Sequence, residues 1–319
     1  MNSKELSLQT VQKLKNRYIN LTNLKSISGS ILRLILITGI SYIILFPVFT
    51  KLVASVMLEK DLFDKTVLWI PKHFTLSHYF AVWEWMEYGT AFKNSFLLAL
   101  TVSIIHLISA SLIGYGFARF KFPGSWFVFG CVIFTIVVPP ESILTALYLN
   151  FRYFNPLHIF SEPINLIGSY WPYLLMGLTG TGFRNGLYIY IMRQFFKGMP
   201  SELEEAAYVD GAGPLQTFYR VMLPGAIPAL VVVFLFSFVW QWNEYIMVNF
   251  LWGKDNILPI ALDGLIRSMS DDQGSEYTIT YIHLIRSTGM FMFMFPLIIL
   301  YTFMQRYFIE SVERTGIVG

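Results

Sequence analysis

The sequence predicts an all-α integral membrane protein with six transmembrane helices. Three observations predict it: the chain is 55% hydrophobic and 13% charged, its mean hydropathy is +0.55, and long apolar runs alternate with polar connections. An ordinary soluble domain carries about a quarter charged residues. The solvent of this chain is mostly lipid.

A hydrocarbon core of ~30 Å takes about 20 helical residues to cross, and each run is read against that length. Ile31–Leu58 follows a polar, basic segment and exceeds a signal-peptide core, so it is expected to remain as an anchor. Ala91–Phe117 is the second run and Trp126–Leu149 the third, broken at Pro139-Pro140-Glu141. Tyr170–Ile191 is the fourth, broken between Gly177 and Gly186; Gly225–Leu251 and Ser287–Phe308 complete the set. Such breaks are tolerated in lipid where neighbouring helices or a wet cavity satisfy the freed backbone groups, so both are expected to face inward. The expected division is a cytoplasmic N-terminal segment, 1–30, a transmembrane domain, 31–310, and a cytoplasmic tail, 311–319. Leu14, Tyr18 and Leu21 share helical spacing and suggest a surface helix in the first segment.

Lysine and arginine set the orientation. Lys4, Lys13, Lys15, Arg17 and Lys25 precede the first run; Arg119 and Lys121 follow the second, Arg193, Lys197 and Arg220 flank the fourth connection, and Arg306 and Arg314 close the chain. On the opposite side Lys60, Lys65 and Lys72 are offset by Glu59, Asp61, Asp64, Glu84 and Glu87. Lys254 and Arg267 there meet Asp255, Asp263, Asp271, Asp272 and Glu276. Both termini and the fourth connection therefore read as cytoplasmic. The net charge of +3 is this asymmetry and not a nucleic-acid surface.

Cys131 is the single cysteine, inside the third run, and the five histidines show no metal-ligand spacing. No phosphate-binding loop or nucleophile elbow occurs. No catalytic residue, metal or cofactor is expected in this chain.

The most informative polar segment is Ser201–Pro224, between two apolar runs. Ser201 and Glu204 have the spacing of a capping box, and Glu202, Glu204 and Glu205 crowd the first turn, where the macrodipole favours acids. Leu203, Ala206, Ala207 and Asp210 recur at helical spacing, and Gly211 supplies a left-handed stop. A helix of about nine residues is below the ~12–15 that are marginal alone in water, so it must dock to be ordered. Gly213-Pro214 opens a second short helix through Leu215, Phe218, Val221 and Met222, ending near Leu223-Pro224.

Glu205-Ala206-Ala207, Asp210-Gly211-Ala212, Phe218 and Leu223-Pro224 resemble the EAA loop of permease subunits in binding-protein-dependent ATP-binding cassette importers. Asn94-Ser95, Tyr115 to Phe120 with Phe122-Pro123-Gly124, Pro139-Pro140, Trp242 to Tyr245, Leu258-Pro259 and Gln305 to Phe308 are similar to the maltose-type carbohydrate permeases. The resemblance implies a type I importer transmembrane domain in a bacterial inner membrane. Its implied partners are a second permease, two cytoplasmic ATPase subunits that bind ATP and Mg, and an extracytoplasmic solute-binding protein. It also implies that Leu203, Glu205, Ala206, Ala207, Asp210 and Gly211 form the surface that couples to an ATPase. The ending Ile309 to Gly319 departs from the usual small-residue tail, and the connection from Arg152 to Ser169 is long for the family.

Glu141, Trp240, Gln241, Trp242, Asn243 and Glu244 are the candidate solute path, because polar groups at membrane depth usually face a bundle interior or a wet cavity. The two indoles are candidates to stack on sugar rings, against a reading as belt or packing residues. Arg184 lies between Gly182 and Gly186, a spacing that marks close helix packing, and is expected to pair with a carboxylate. Cys131 and His106 read as packed residues. A peptide or polyamine importer shares the EAA loop and is the alternative; an ion-coupled transporter would leave the loop without a role.

Overall fold

A computed structural model describes residues 21–64, 66–67, 69–254, 256–273 and 277–316, with the side chains of 21–26, 272–273 and 307–316 outside the description. The surface helix expected around Leu14 and Tyr18 and the tail beyond Gly316 lie outside these residues. The described residues are helical, with two isolated bridges and no strand.

The chain divides into two compact units at Thr75. In the first, α1 runs from Leu21 to Ser55 with Pro47 inside it, so it begins ten residues before the expected span. Beyond α1, Met57 bridges to Phe74, and the buried Asp61 carboxylate accepts hydrogen bonds from the His73 backbone N–H (2.8 Å) and pairs with His73 Nδ1 (2.6 Å).

In the second unit, α2 (Ser77–Trp85) and the turn at Glu87 lead into α3 (Tyr88–Arg119), an unbroken helix of 32 residues. Next come α4 (Ser125–Val137) and α5 (Leu144–Arg152). The chain bends by 100° between them, at the predicted Pro139-Pro140, where two prolines remove N–H donors and disfavour helix at the preceding residue. The long connection after α5 is folded: Phe154 bridges to Ile164, the Asn155 side chain bonds both the N–H and C=O of Phe160, and the Gly168 N–H reaches Leu251 O (2.9 Å).

The fourth apolar run is two helices, α6 (Trp171–Leu178) and α7 (Asn185–Gly198), separated where Gly180 and Arg184 adopt positive φ. Then follow α8 (Glu202–Val209), α9 (Pro214–Gly225, with a π turn over Phe218–Met222) and α10 (Ile227–Trp242), bent by 78° from α9. The fifth run breaks at Asn243 to Tyr245, so α10 stops before the expected Leu251 and a separate α11 covers Ile246–Leu251. The connection after it forms α12 (Leu258–Gln273), and α13 continues from Ile279 to Gly316. The boundaries expected at 30 and 310 thus fall inside continuous helices, α1 and α13.

Three helices are each long and apolar enough to cross a membrane, and the two bent pairs bring the number to five among the described residues. Neither half of the fourth run, α6 or α7, reaches spanning length alone. The bundle is built around α3, which packs along α7 and α10. Near its C-terminal end Tyr115, Met192, Phe196, Phe218 and Met222 are buried together; near its N-terminal end Met86, Trp242, Leu258, Leu265 and Ile285 form another core.

Candidate functional site

The α8 knob is built from local rules and one long-range clasp. Its end follows local rules: Gly211 sits at φ +82°, the Gly211 N–H bonds Tyr208 O (3.0 Å) and the Ala212 N–H bonds Ala207 O (2.9 Å). That paired pattern is the Schellman stop, and a Cβ at Gly211 would meet open space. Only the backbone angle demands glycine there.

Its start departs from expectation. Ser201 is itself helical and makes no side-chain cap bond, so the capping box is not formed; the Ser201 carbonyl accepts the N–H groups of Glu204 and Glu205 instead. The Glu204 side chain is drawn away to α3. Tyr115 Oη donates to Glu204 Oε1 at 2.6 Å, and Arg119 Nε lies 3.2 Å from Oε2. Arg119 Nη2 also donates to Met199 O at 2.7 Å, tying down the turn before α8. Glu204 is buried, so the hydrogen bond from Tyr115 and the opposite charge of Arg119 offset the cost of removing its carboxylate from water.

The clasp sets which residues face out. Ala207 is buried against the bundle, which removes it from the expected contact surface. Leu203, Glu205, Ala206, Asp210 and Gly211 are exposed, and so is Val209, at 87%. Val209 escaped the sequence reading, although an apolar residue near a helix end with no partner inside the motif was the available signal. Behind the knob Phe218 and Met222 are buried, while Leu215 is exposed.

The candidate solute-path residues divide. Arg184 Nη1 lies 3.5 Å from Glu244 Oε2, and its guanidinium stacks 4.6 Å from the Trp240 ring centroid. Gln241 lines the same small cavity with its Nε2 buried and unpartnered, beside His106, whose Nδ1 is 3.0 Å from Ser237 Oγ. Gly182 and Gly186 permit this closeness: a Cβ would stand 2.3 Å from His106 Nε2 at the first and 2.3 Å from Thr135 Oγ1 at the second. Trp242, by contrast, is 1% exposed, packed against Phe92, Phe238 and Phe293, with its Nε1 donating to Phe293 O (3.3 Å). It is a core residue of the bundle and lines no part of this cavity. Asn243 bonds back to Val239 O (2.7 Å) on its own helix. Glu141 is exposed on the bend and lines no part of this cavity, Pro139 is exposed and Pro140 half-buried, and Cys131 is exposed where packing was expected.

Residues 108–314 match the family of binding-protein-dependent transport system inner membrane components. The chain belongs to that family. The arabinooligosaccharides transport system permease protein AraQ of Halalkalibacterium halodurans is 27% identical over 290 residues, 88% of this chain and 93% of that one. The alpha-glucoside transport system permease protein AglG of Rhizobium meliloti is 28% identical over 255 residues, 78% of this chain and 62% of that one. A crystal structure of a bacterial ABC transporter involved in the import of the acidic polysaccharide alginate contains a chain of similar fold, with TM-score 0.66, 20% identity, and coverage of 89% of this chain and 98% of that one. As an inner membrane component of such a system, this is a multi-pass membrane protein, and its polar features are read within that class.

Proposed function

We propose that the chain is a permease subunit of an ATP-binding cassette importer for a carbohydrate, forming half of the transmembrane path. Its partners in this reading are a second permease, two ATPase subunits that carry ATP and Mg, and an extracytoplasmic solute-binding protein. The chain itself hydrolyses nothing. Both termini and the knob face the cytoplasm, in keeping with the lysine and arginine distribution, and α6 with α7 makes the sixth crossing. The relatives named for arabinooligosaccharides and alpha-glucosides favour a sugar over a peptide or polyamine.

The observation that carries the reading is the knob's two-sidedness. Leu203, Glu205, Ala206, Val209, Asp210 and Gly211 are presented outward on a helix of eight residues, while Glu204 is held from behind by Tyr115 and Arg119. Exposed apolar side chains on a rigid, polar-rimmed protrusion suit docking to another protein. The Arg184, Trp240, Gln241 and Glu244 cluster lies between helices and serves as a constriction of the path. In the reconstituted importer, Gly211→Arg or Glu205→Arg is expected to leave membrane insertion intact and to uncouple ATP hydrolysis from uptake. Uptake at the wild-type rate by both variants would refute the assignment.

A further inference from the structure

A second polar cavity lies at the other end of α3. It holds about 730 Å³, within the ~300–1,000 Å³ of small-molecule sites, and is lined by Trp85, Glu87, Tyr245, Lys254, Asp263 and Arg267 among others. Glu87 immediately precedes α3 and Tyr115 lies 28 residues further on, so the cavity and the knob are roughly 40 Å apart along the helix axis.

The lining has the chemistry of a site for hydroxyl-rich rings. Trp85 and Tyr245 offer aromatic surface for the C–H face of a pyranose, and carboxylates and guanidinium groups make the strong, directional bonds that vicinal hydroxyls need. The Tyr245 hydroxyl donates to Asp263 Oδ2 at 2.9 Å, which holds that carboxylate in place. Two acids and two bases line the cavity among the described residues, so the described lining is balanced in charge and offers no excess of cations to an acidic sugar. Glu87 sits at the turn between α2 and α3 at φ +46°, its N–H donating to Glu84 O (3.0 Å) and its carbonyl accepting from Thr90 (2.9 Å) and Ala91 (3.0 Å); its side chain makes no cap bond to α3 and lines the cavity.

We propose that this cavity is a subsite for an uncharged oligosaccharide entering the path, contacted by Trp85, Glu87, Tyr245, Lys254, Asp263 and Arg267. The proposal rests on the importer reading. Because the cavity is remote from the knob, solute contact and coupling are separable. The test uses proteoliposomes holding the complete importer and its solute-binding protein, offered maltotriose, arabinotriose and trigalacturonate. Wild type is expected to take up a neutral trisaccharide and not the acidic one. Tyr245→Ala and the near-isosteric Asp263→Asn should each lower that uptake by about tenfold, equivalent to about 1.4 kcal/mol, while ATP hydrolysis stimulated by the solute-binding protein stays within about twofold of wild type. Undiminished uptake by both variants would overturn the subsite alone. Loss of the stimulated hydrolysis in both would assign the cavity to docking of the solute-binding protein, and preference for trigalacturonate would reverse the charge argument; either overturns the proposal. Uptake of no carbohydrate by wild type would bring down the importer reading, and the subsite with it.

Discussion

At the C-terminal end of α3 a tyrosine and an arginine grip a buried carboxylate; at its N-terminal end Asn94 and Ser95 hold neutral backbone groups. Asn94 Nδ2 donates to Asn256 O (2.9 Å), and the Leu258 N–H donates to Ser95 Oγ (2.8 Å), fixing the start of α12. Both ends join segments far apart in sequence, but with different energetics. A largely buried charged clasp is intolerant of losing one member, whereas a neutral hydrogen bond contributes about 1 kcal/mol net. The knob end is therefore the stiff end, suited to transmitting force, and the α12 end borders an open cavity. A single 32-residue helix joins the two.

This contrast makes ordered predictions. Glu204→Ala leaves the Tyr115 hydroxyl without its acceptor and the Arg119 guanidinium without its counter-charge, and is expected to lower stability by about 2–4 kcal/mol, read as a fall in thermal midpoint in detergent and as new protease cleavage at 201–213. Ser95→Ala strips the buried Leu258 N–H of its acceptor, for about 1–3 kcal/mol, with no change in cleavage of the knob. An equal cleavage response to both would erase the distinction between the ends. Gly211→Ala forces a side chain into positive φ and should cost about 1–2 kcal/mol, while Gly213→Ala, at φ −79°, should cost less; the paired thermal midpoints decide it.

The smallest effect is expected in the first unit, at Asp61. Its burial raises the carboxyl pKa, but the hydrogen bonds from the His73 side chain and backbone outweigh burial and hold it below the usual value. A lowered folded-state pKa contributes stability above the unfolded value of about 3.9 that is lost as pH falls through the folded one. His73→Ala should therefore lower stability at neutral pH and flatten its fall below about pH 4, where variant and wild type converge, as pH-resolved thermal melts would show.

What was legible in the sequence was what is local. Gly211 stops α8 because positive φ at that point is a property of one residue and its neighbours. The Pro139-Pro140 bend follows from the ring alone. Glu204 shows the limit: Ser201 three residues before it suggested a reciprocal cap, but Tyr115, 89 residues away, competes for the carboxylate and wins. That pairing had one trace, the presence of Tyr115 to Phe120 among the carbohydrate-permease-like motifs. Trp242 illustrates the converse, since polar neighbours at 241, 243 and 244 suggested a path where the indole is in fact core. Composition likewise marked the 252–286 connection as polar, and the amphipathic α12 within it was not foreseen, because its apolar side is completed by α2, α3 and α13, from other parts of the chain.

The decisive experiment labels the knob itself. With Cys131→Ser removing the single cysteine, Ala206→Cys is placed on the exposed face of α8, and a membrane-impermeant maleimide is applied to vesicles of known sidedness. Labelling is expected only from the cytoplasmic face and should be blocked when the ATPase subunits assemble on the permease. Labelling from the outer face, or labelling indifferent to the ATPase, would contradict the role assigned to α8.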